Sequence, residues 1–380
     1  MLRKFCVYIK KGISPFSFSL YIYFIGDVMK KIFIIVLLLL LICPFNIFAK
    51  DMSKSSIVMD VDSGRIIYKN NIHEKHLIAS ITKIMTCIVV LENANLEDKI
   101  VVGEEVLKMY GTNIYLEVGE EITIKDLLYG LMLRSGNDAA VVLATNLFGY
   151  DEFISLMNDT AKRIGMIDTI FVNPHGLDED TKNYSTAYDM AILGKYAFQN
   201  KIYRTIISTK KYTTKSSLKS YVWYNRMSLL SSYSNCIGGK NGYTPSAGKT
   251  LVSYAKKDDT TLMIVSLNDS SIYENHENLY ERFFLKYKKY DIINKDNFSK
   301  SSNILGKKVM IKNSFSYLLK EDELDDIETI ISVYSDSNSK RVGKIIVRFQ
   351  NKKIGEVPIY EQSFKKKESF LKKIKNLFIR

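Results

Sequence analysis

The sequence predicts an α/β protein of the α+β kind: a sheet assembled from distant chain segments, covered by helices, and followed by a small all-β domain. Three observations predict it. Hairpin-like patterns stand at both ends of a long region, over 56–70 and 251–267. Helical periodicities fill the stretch between them. After about Tyr290 the chain changes to short β-branched runs separated by Asn, Asp, Ser and Gly.

The elements follow in order. Ile57-Val58-Met59 and Ile66-Ile67-Tyr68 flank Asp62-Ser63-Gly64, a good turn, and so read as a hairpin. Ile84, Cys87, Ile88 and Leu91 recur at three- and four-residue spacing and predict a helix over 80–91. Two more helices are expected over 124–133 and 138–147, broken at Ser135-Gly136-Asn137. An amphipathic helix follows over 152–164, and Ser185 or Thr186 caps another that runs through Ala197. Leu251–Tyr254 and Thr261–Leu267, separated by Lys256-Lys257-Asp258-Asp259, form the second hairpin, and 275–287 closes the region as a helix. Beyond it, 308–311, 327–333 and 344–349 read as strands of the small domain, which reaches about Tyr360.

The chain ends carry their own signals. Met29-Lys30-Lys31 precedes an unbroken apolar run over 32–43, then Pro44 and a small residue, Ala49. A basic start, a short apolar run and a small terminal residue read as a secretory signal. The run is too short for a comfortable transmembrane span. Ile47 makes the cleavage site imperfect, and an uncleaved anchor is the alternative. Residues 1–28 read as an upstream extension with Met29 as initiator. At the other end, Phe370, Leu371, Ile374, Leu377 and Phe378 share a helical face amid seven Lys and Arg. A basic amphipathic helix of this kind lies in a membrane interface, each cation adding about 1 kcal/mol near an anionic surface; a solvated tail is the bland alternative. The expected divisions are 1–49 as extension and signal, 50–290 as the main domain, 291–361 as the β-rich domain and 362–380 as the tail.

With 380 residues and 46% hydrophobic composition, the chain has material for a real core. Its net charge of +13 suits anionic partners. No nucleic-acid-binding signature accompanies that charge, which leaves an acidic membrane surface or an anionic wall polymer. Cys6 and Cys43 lie in or before the leader. Cys87 and Cys236 read as buried free thiols, with a disulfide between them as the alternative. The four histidines form no metal-ligand set, and His73, His76 and His276 are expected at the surface.

Three motifs carry chemistry. Ser80-Ile81-Thr82-Lys83 sets a hydroxyl and an amine three residues apart at a helix start, on one face. Serine is a poor nucleophile until a base takes its proton, and lysine is a base only where its surroundings hold it neutral. The pattern alone is weak: it recurs at Ser208–Lys211, Ser337–Lys340 and Ser369–Lys372. The second motif, Ser135-Gly136-Asn137, puts a hydroxyl and an amide at a helix break; a plain turn with a left-handed Asn is the alternative. The third, Lys240-Asn241-Gly242-Tyr243-Thr244, precedes the second hairpin. There an edge strand can hold a peptide by β-addition, Gly242 allows close backbone approach, and Lys240 offers charge to a carboxylate with Thr244 as hydroxyl donor.

Ser-x-x-Lys, Ser-x-Asn and Lys-x-Gly in this order resemble the signature of the β-lactamase and penicillin-binding protein superfamily. Longer stretches resemble its low-molecular-mass serine D-alanyl-D-alanine carboxypeptidase branch: residues 79–86, 127–140 (Leu-Leu-Tyr-Gly-Leu-Met-Leu-Arg-Ser-Gly-Asn-Asp-Ala-Ala), 173–177 and 184–189. The resemblance spans roughly 56–290. It implies a β-lactamase/transpeptidase-like domain with an antiparallel sheet flanked by helices. It further implies that Ser80 is acylated by a peptidoglycan stem pentapeptide ending in D-Ala-D-Ala, and by β-lactams, with no metal or organic cofactor. Lys83 would be the base. Ser135 and Asn137 would relay protons and hold substrate. Lys240, Asn241, Gly242, Tyr243 and Thr244 would bind it, with backbone N–H groups of Ser80 and Tyr243 as oxyanion hole. Asn241 departs from the family's usual Thr, which puts carboxylate recognition in question, and Leu77-Ile78 replaces the usual Pro. A Ser-His triad through His175 is set aside, because a lysine base is already supplied. Rival readings are a serine β-lactamase, for which 166–180 offers no deacylating-glutamate motif, a D,D-endopeptidase using the same residues, and a weakened peptidoglycan-binding homologue. The expected location is extracytoplasmic, at the outer face of the membrane or in the wall.

Overall fold

The computed structural model describes residues 28–32, 53–301, 303–304, 307–334 and 340–362. The apolar run after Ile32, Ala49, Cys6, Cys43, the Ser-x-x-Lys serines at 337 and 369, and the basic tail lie outside the described residues. Contacts divide the chain into Met1–Ala49 and Lys50–Arg380. In the first unit the described stretch is an exposed helical turn over 28–32.

In the second unit, β1 (Ser55–Asp60) and β2 (Ile66–Asn70) form the expected hairpin. Asp60 ties its turn by accepting from the Ser63 amide at 3.0 Å, and Gly64 takes the left-handed conformation (φ +78°). A 3-10 turn, Ala79–Thr82, leads into α1 (Lys83–Asn93). Next come α2 (Ile124–Tyr129), α3 (Asn137–Phe148), α4 (Tyr150–Ile164), α5 (Ala187–Gln199) and α6 (Lys201–Ser208). Thr123, Thr186 and Asn200 cap α2, α5 and α6 by accepting backbone N–H groups through their side chains. The hairpin β3 (Lys211–Lys215) and β4 (Ser220–Tyr224) precedes β5 (Cys236–Thr244), β6 (Gly248–Lys257), β7 (Thr260–Leu267) and α7 (Ile272–Lys286).

The main sheet is antiparallel in the order β2-β1-β7-β6-β5, so its ends, Ile66–Asn70 and Cys236–Thr244, come from segments far apart in the chain. Both faces are covered. Ile57, Met59, Val252, Tyr254, Met263 and Val265 join the larger apolar cluster with α1 and α5. The alternate residues Val58, Leu251, Ala255, Leu262 and Ile264 join a second cluster with Leu279, Tyr280 and Phe283 of α7. Burial on two faces explains why β7 is an unbroken buried run rather than an alternating one. The edge position of β5 leaves one side of that strand free of sheet pairing.

Three departures from the sequence reading matter. The helix expected from Ser80 begins as a 3-10 turn, because Ala79 is left-handed (φ +47°) and Ser80 stands on that bend. The helix expected over 124–133 widens into a π-turn at Gly130–Arg134, which ends at Ser135. The helix α6 and the β3–β4 hairpin were not anticipated. Cys87 and Cys236 are buried free thiols, so the disulfide alternative is not realised. His276 is not at the surface: it is buried between the hydroxyls of Ser253 and Ser266.

After α7 the chain is mostly β, interrupted by a short helix, Lys295–Ser301, and a 3-10 turn, Glu321–Asp326, which the all-β expectation did not include. Strand β8 (Lys288–Ile293) pairs with β10 (Phe315–Leu319). Strands β9 (Lys307–Ile311), β11 (Ile327–Val333), β12 (Arg341–Phe349) and β13 (Lys352–Glu361) form a second antiparallel sheet around Val309, Ile345, Val347 and Ile359. Arg65, from the first hairpin, is clasped by this region. It ion-pairs with Glu323 at 2.8 Å and lies over the rings of Phe349, Tyr287 and Tyr317 at 4.6, 5.4 and 5.4 Å. Among the described residues no single helix is long and apolar enough to cross a membrane.

Candidate active site

The 3-10 turn presents Ser80, half-buried, at the mouth of a cleft whose other walls are the Ser135 bend and β5. One turn on, Lys83 is fully buried at the start of α1. Its Nζ donates to Ser80 Oγ at 3.0 Å, to Asn137 Oδ1 at 2.7 Å and to the His175 carbonyl at 2.6 Å. Burial holds its pKa well below the usual lysine range, the positive charge of Lys240 pushes the same way, and Asp138 opposes both.

Ser135, rather than Asn137, takes the left-handed conformation at the helix break (φ 65°, ψ 35°). That bend lets Ser135 face Lys240, whose Nζ donates to Ser135 Oγ at 3.1 Å and to the Asn241 carbonyl at 2.7 Å. Asn137, now the first residue of α3, turns toward Lys83. Lys240 is likewise buried. Its pKa is lowered to about 7, mainly by burial and then by Arg226. Ala79 and Ser135 are both non-Gly residues held left-handed, which places conformational strain on two walls of the cleft.

Strand β5 comes very close to the nucleophile turn. A Cβ on Gly242 would lie 2.7 Å from the Ser80 nitrogen and 2.6 Å from Thr250 Oγ1, so only glycine fits. Asn241 is half-buried and the Tyr243 ring is exposed. Thr244 does not match its expected part. Its one hydroxyl proton goes to Asp178 Oδ2 at 2.6 Å, and its oxygen accepts from the Ala247 amide at 3.0 Å. With no donor left for a ligand, Thr244 closes the β5–β6 turn and ties it to the 173–183 loop.

Several contributors escaped the sequence reading. Two buried asparagines fold the 173–183 loop. Asn183 Oδ1 accepts from the amides of Val172 and Asn173, while Asn173 Oδ1 accepts from those of His175 and Gly176. Asn183 also donates to Thr82 Oγ1 at 3.0 Å, and Thr86 donates to the Pro174 carbonyl at 2.6 Å, so the loop is fastened to the nucleophile helix. Gly176 (φ +85°) sits where a Cβ would fall 2.0 Å from the Ala79 carbonyl. The loop therefore offers Lys83 the backbone oxygen of His175. The buried imidazole has its pKa lowered to about 3 and accepts from the Leu177 amide, so it is no base for Ser80. Arg226, at the cleft edge, adds a third basic side chain beside Lys83 and Lys240 and donates to Thr112 Oγ1 at 3.1 Å. The histidine and carboxylate side chains of the described residues form no group that could hold a metal ion.

A hydroxyl, two buried amines and an edge strand thus meet in one cleft, and the family comparison agrees with that chemistry. The model of the D-alanyl-D-alanine carboxypeptidase family, peptidase S11, matches residues 48–271, more than half of the chain. The chain belongs to this family. It is 29% identical over 340 residues to the D-alanyl-D-alanine carboxypeptidase DacF of Bacillus subtilis, covering 84% of the chain and 87% of that protein. It is 36% identical over 228 residues to the carboxypeptidase DacC of Escherichia coli, covering 57% and 56%. Among solved structures it is similar to penicillin-binding protein 6B of Escherichia coli, with a TM-score of 0.64, 25% identity and coverage of 82% of this chain and 95% of that one. The Streptomyces K15 DD-transpeptidase superposes with a TM-score of 0.58 at 31% identity over 61% of this chain and 96% of that one. The α+β reading, with an antiparallel sheet between helices and a C-terminal all-β region, agrees with these neighbours.

Proposed function

We propose that this serine carboxypeptidase of the penicillin-binding protein group removes the terminal D-Ala of a stem pentapeptide through an acyl-enzyme on Ser80. The single observation that carries the assignment is the buried Lys83 amine 3.0 Å from Ser80 Oγ. A neutral lysine has two N–H donors and one lone pair. The Asn137 and His175 oxygens are suited to take the donors, which leaves the lone pair for the Ser80 proton. Ser80 then attacks the penultimate D-Ala carbonyl. The proton returns to the leaving D-Ala nitrogen by way of Ser135, and water hydrolyses the ester. The amides of Ser80 and Tyr243 hold the oxyanion, each donor contributing about 2.7–4 kcal/mol. Lys240 and Arg226 attract the terminal carboxylate, and Asn241 stands beside them where the Lys-Thr-Gly motif has Thr.

Peptidoglycan stem peptides and β-lactams are the ligands of this chemistry, and the enzyme acts outside the cytoplasm, where that substrate lies. We further propose that the basic tail over 363–380 holds it against the anionic outer face of the membrane. The decisive experiment is mass spectrometry of the protein after penicillin treatment. One adduct is expected, mapped to Ser80. It should be absent from Ser80→Ala and formed about 10²-fold or more slowly by Lys83→Met. An adduct on another residue, or rapid multiple turnover of nitrocefin, would overturn the assignment.

A further inference from the structure

We propose that Asp138 is a positioning residue for acylation: its buried carboxylate locks the 110–116 loop around Asn137 and supplies the negative charge that faces the buried Lys83. The inference rests on the Ser80–Lys83 reading and adds to it a residue that no motif role assigns.

The first ground is geometric. Asp138 is 2% exposed. Its Oδ1 accepts from the amides of Ile114 (3.0 Å) and Ala139 (2.8 Å), and its Oδ2 from those of Ile114 (3.0 Å) and Leu116 (3.1 Å). Its own amide donates to Asn113 Oδ1 at 3.2 Å. The same loop returns two carbonyls to the neighbouring residue: Thr112 O accepts from the Asn137 amide at 2.8 Å, and Tyr110 O from Asn137 Nδ2 at 2.8 Å. Because Nδ2 is committed to Tyr110, the other end of that amide, Oδ1, must face Lys83. Asp138 therefore decides which atom of Asn137 the lysine meets, without touching substrate.

The second ground is charge. The groups that face Lys83 are Ser80 from its own turn, the His175 carbonyl from the loop, Asn137 and Asp138 from α3, and Lys240 from β5. The imidazole of His175 is neutral at physiological pH. Asp138 is the anion acting on Lys83, against burial and the Lys240 cation. An anion near an ammonium favours the protonated form. Removing it makes Lys83 easier to deprotonate, so the acid limb of the acylation profile moves to lower pH.

The test measures the acylation rate constant of the full chain with a fluorescent penicillin across about pH 5–10. For Asp138→Asn, the maximal rate should fall about ten-fold or more, because Asn137 is freed to reorient, while the acid limb shifts down by about one pH unit. Asp138→Glu keeps the charge but not the reach, so its rate should fall with the limb left in place. A purely structural role lowers the rate in both variants without moving either limb, and that result overturns the proposal. So does an upward shift in Asp138→Asn. If Asp138→Asn gives no folded protein, the neutral Asp138→Ser takes its place, and an acid limb left where the wild type has it refutes the proposal. Failure of the wild type to form the Ser80 adduct is a separate result, and it removes the underlying reading itself.

Discussion

Gly242→Ala perturbs the cleft at the point where two segments approach most closely. The added methyl would lie 2.7 Å from the Ser80 nitrogen, 2.6 Å from Thr250 Oγ1 and 3.1 Å from the Ala79 Cβ. Ordinary contact begins near 3.4 Å, so β5 and the nucleophile turn must part by about 0.7 Å. Neither side yields cheaply. Ala79 is pinned by Gly176 and is already left-handed, and β5 is held by its pairing with β6. Overpacking of this kind costs about 1–3 kcal/mol of stability. The functional cost is larger, because a shift of that size opens the space between the Ser80 amide and the strand proposed to complete the oxyanion hole. A misplacement of about 1 Å costs on the order of 10²-fold in rate. The expected outcome is an acylation rate about 10²-fold below wild type, with a melting temperature lower by only a few degrees. Fluorescent-penicillin kinetics and a thermal melt measure the two. Acylation within about three-fold of wild type in a folded variant would refute the claim that this contact builds the site.

Other consequences follow from the same geometry. Lys240 is held near pKa 7, so its ammonium is lost as pH rises through neutrality, and KM for a D-Ala-D-Ala peptide should climb above about pH 7. A KM flat across that range in the wild type, or equal in Lys240→Met, would contradict its proposed hold on the carboxylate. The linkage has a definite sign: an unfolded chain holds the Lys240 proton up to about 10.5 and the folded one only to about 7. Its burial is therefore tolerated above the unfolded value and costs stability progressively as pH falls to the folded one. The denaturant midpoint should thus rise between these values, and less steeply in Lys240→Met. Arg65→Ala should remove the ion pair and ring contacts that clasp the C-terminal sheet, costing about 1–3 kcal/mol. Penicillin acylation should stay within about two-fold, while limited proteolysis after α7 speeds up. Unchanged proteolysis would show that Arg65 does not hold the two regions together.

Much of this protein was legible in its sequence, because the signals concerned are local. The spacing of Ser80 and Lys83 puts them on one helical face whatever packs around them. Ser135-Gly136-Asn137 marks a helix break by composition, and the hairpins of the main sheet declare themselves by β-branched runs around turn residues. Periodicity, however, reports which residues are buried, not the pitch of each turn. The 3-10 start at Ala79 and the π-turn before Ser135 were therefore read as plain α-helix.

What the tertiary structure decided were the partners. Thr244 spends its only proton on Asp178, sixty-six residues away, and the carbonyl that meets Lys83 comes from His175, ninety-two residues away. Asn173, Asn183, Arg226 and Asp138 matter for the same reason: each acts through groups that chain folding brings beside it. The depressed lysine pKa values likewise have no local cause, since burial and a neighbouring cation exist only once the sheet, helices and loop have closed on one another. A side chain's chemistry is written in its type, but its hydrogen-bond partner and its dielectric surroundings belong to the assembled fold.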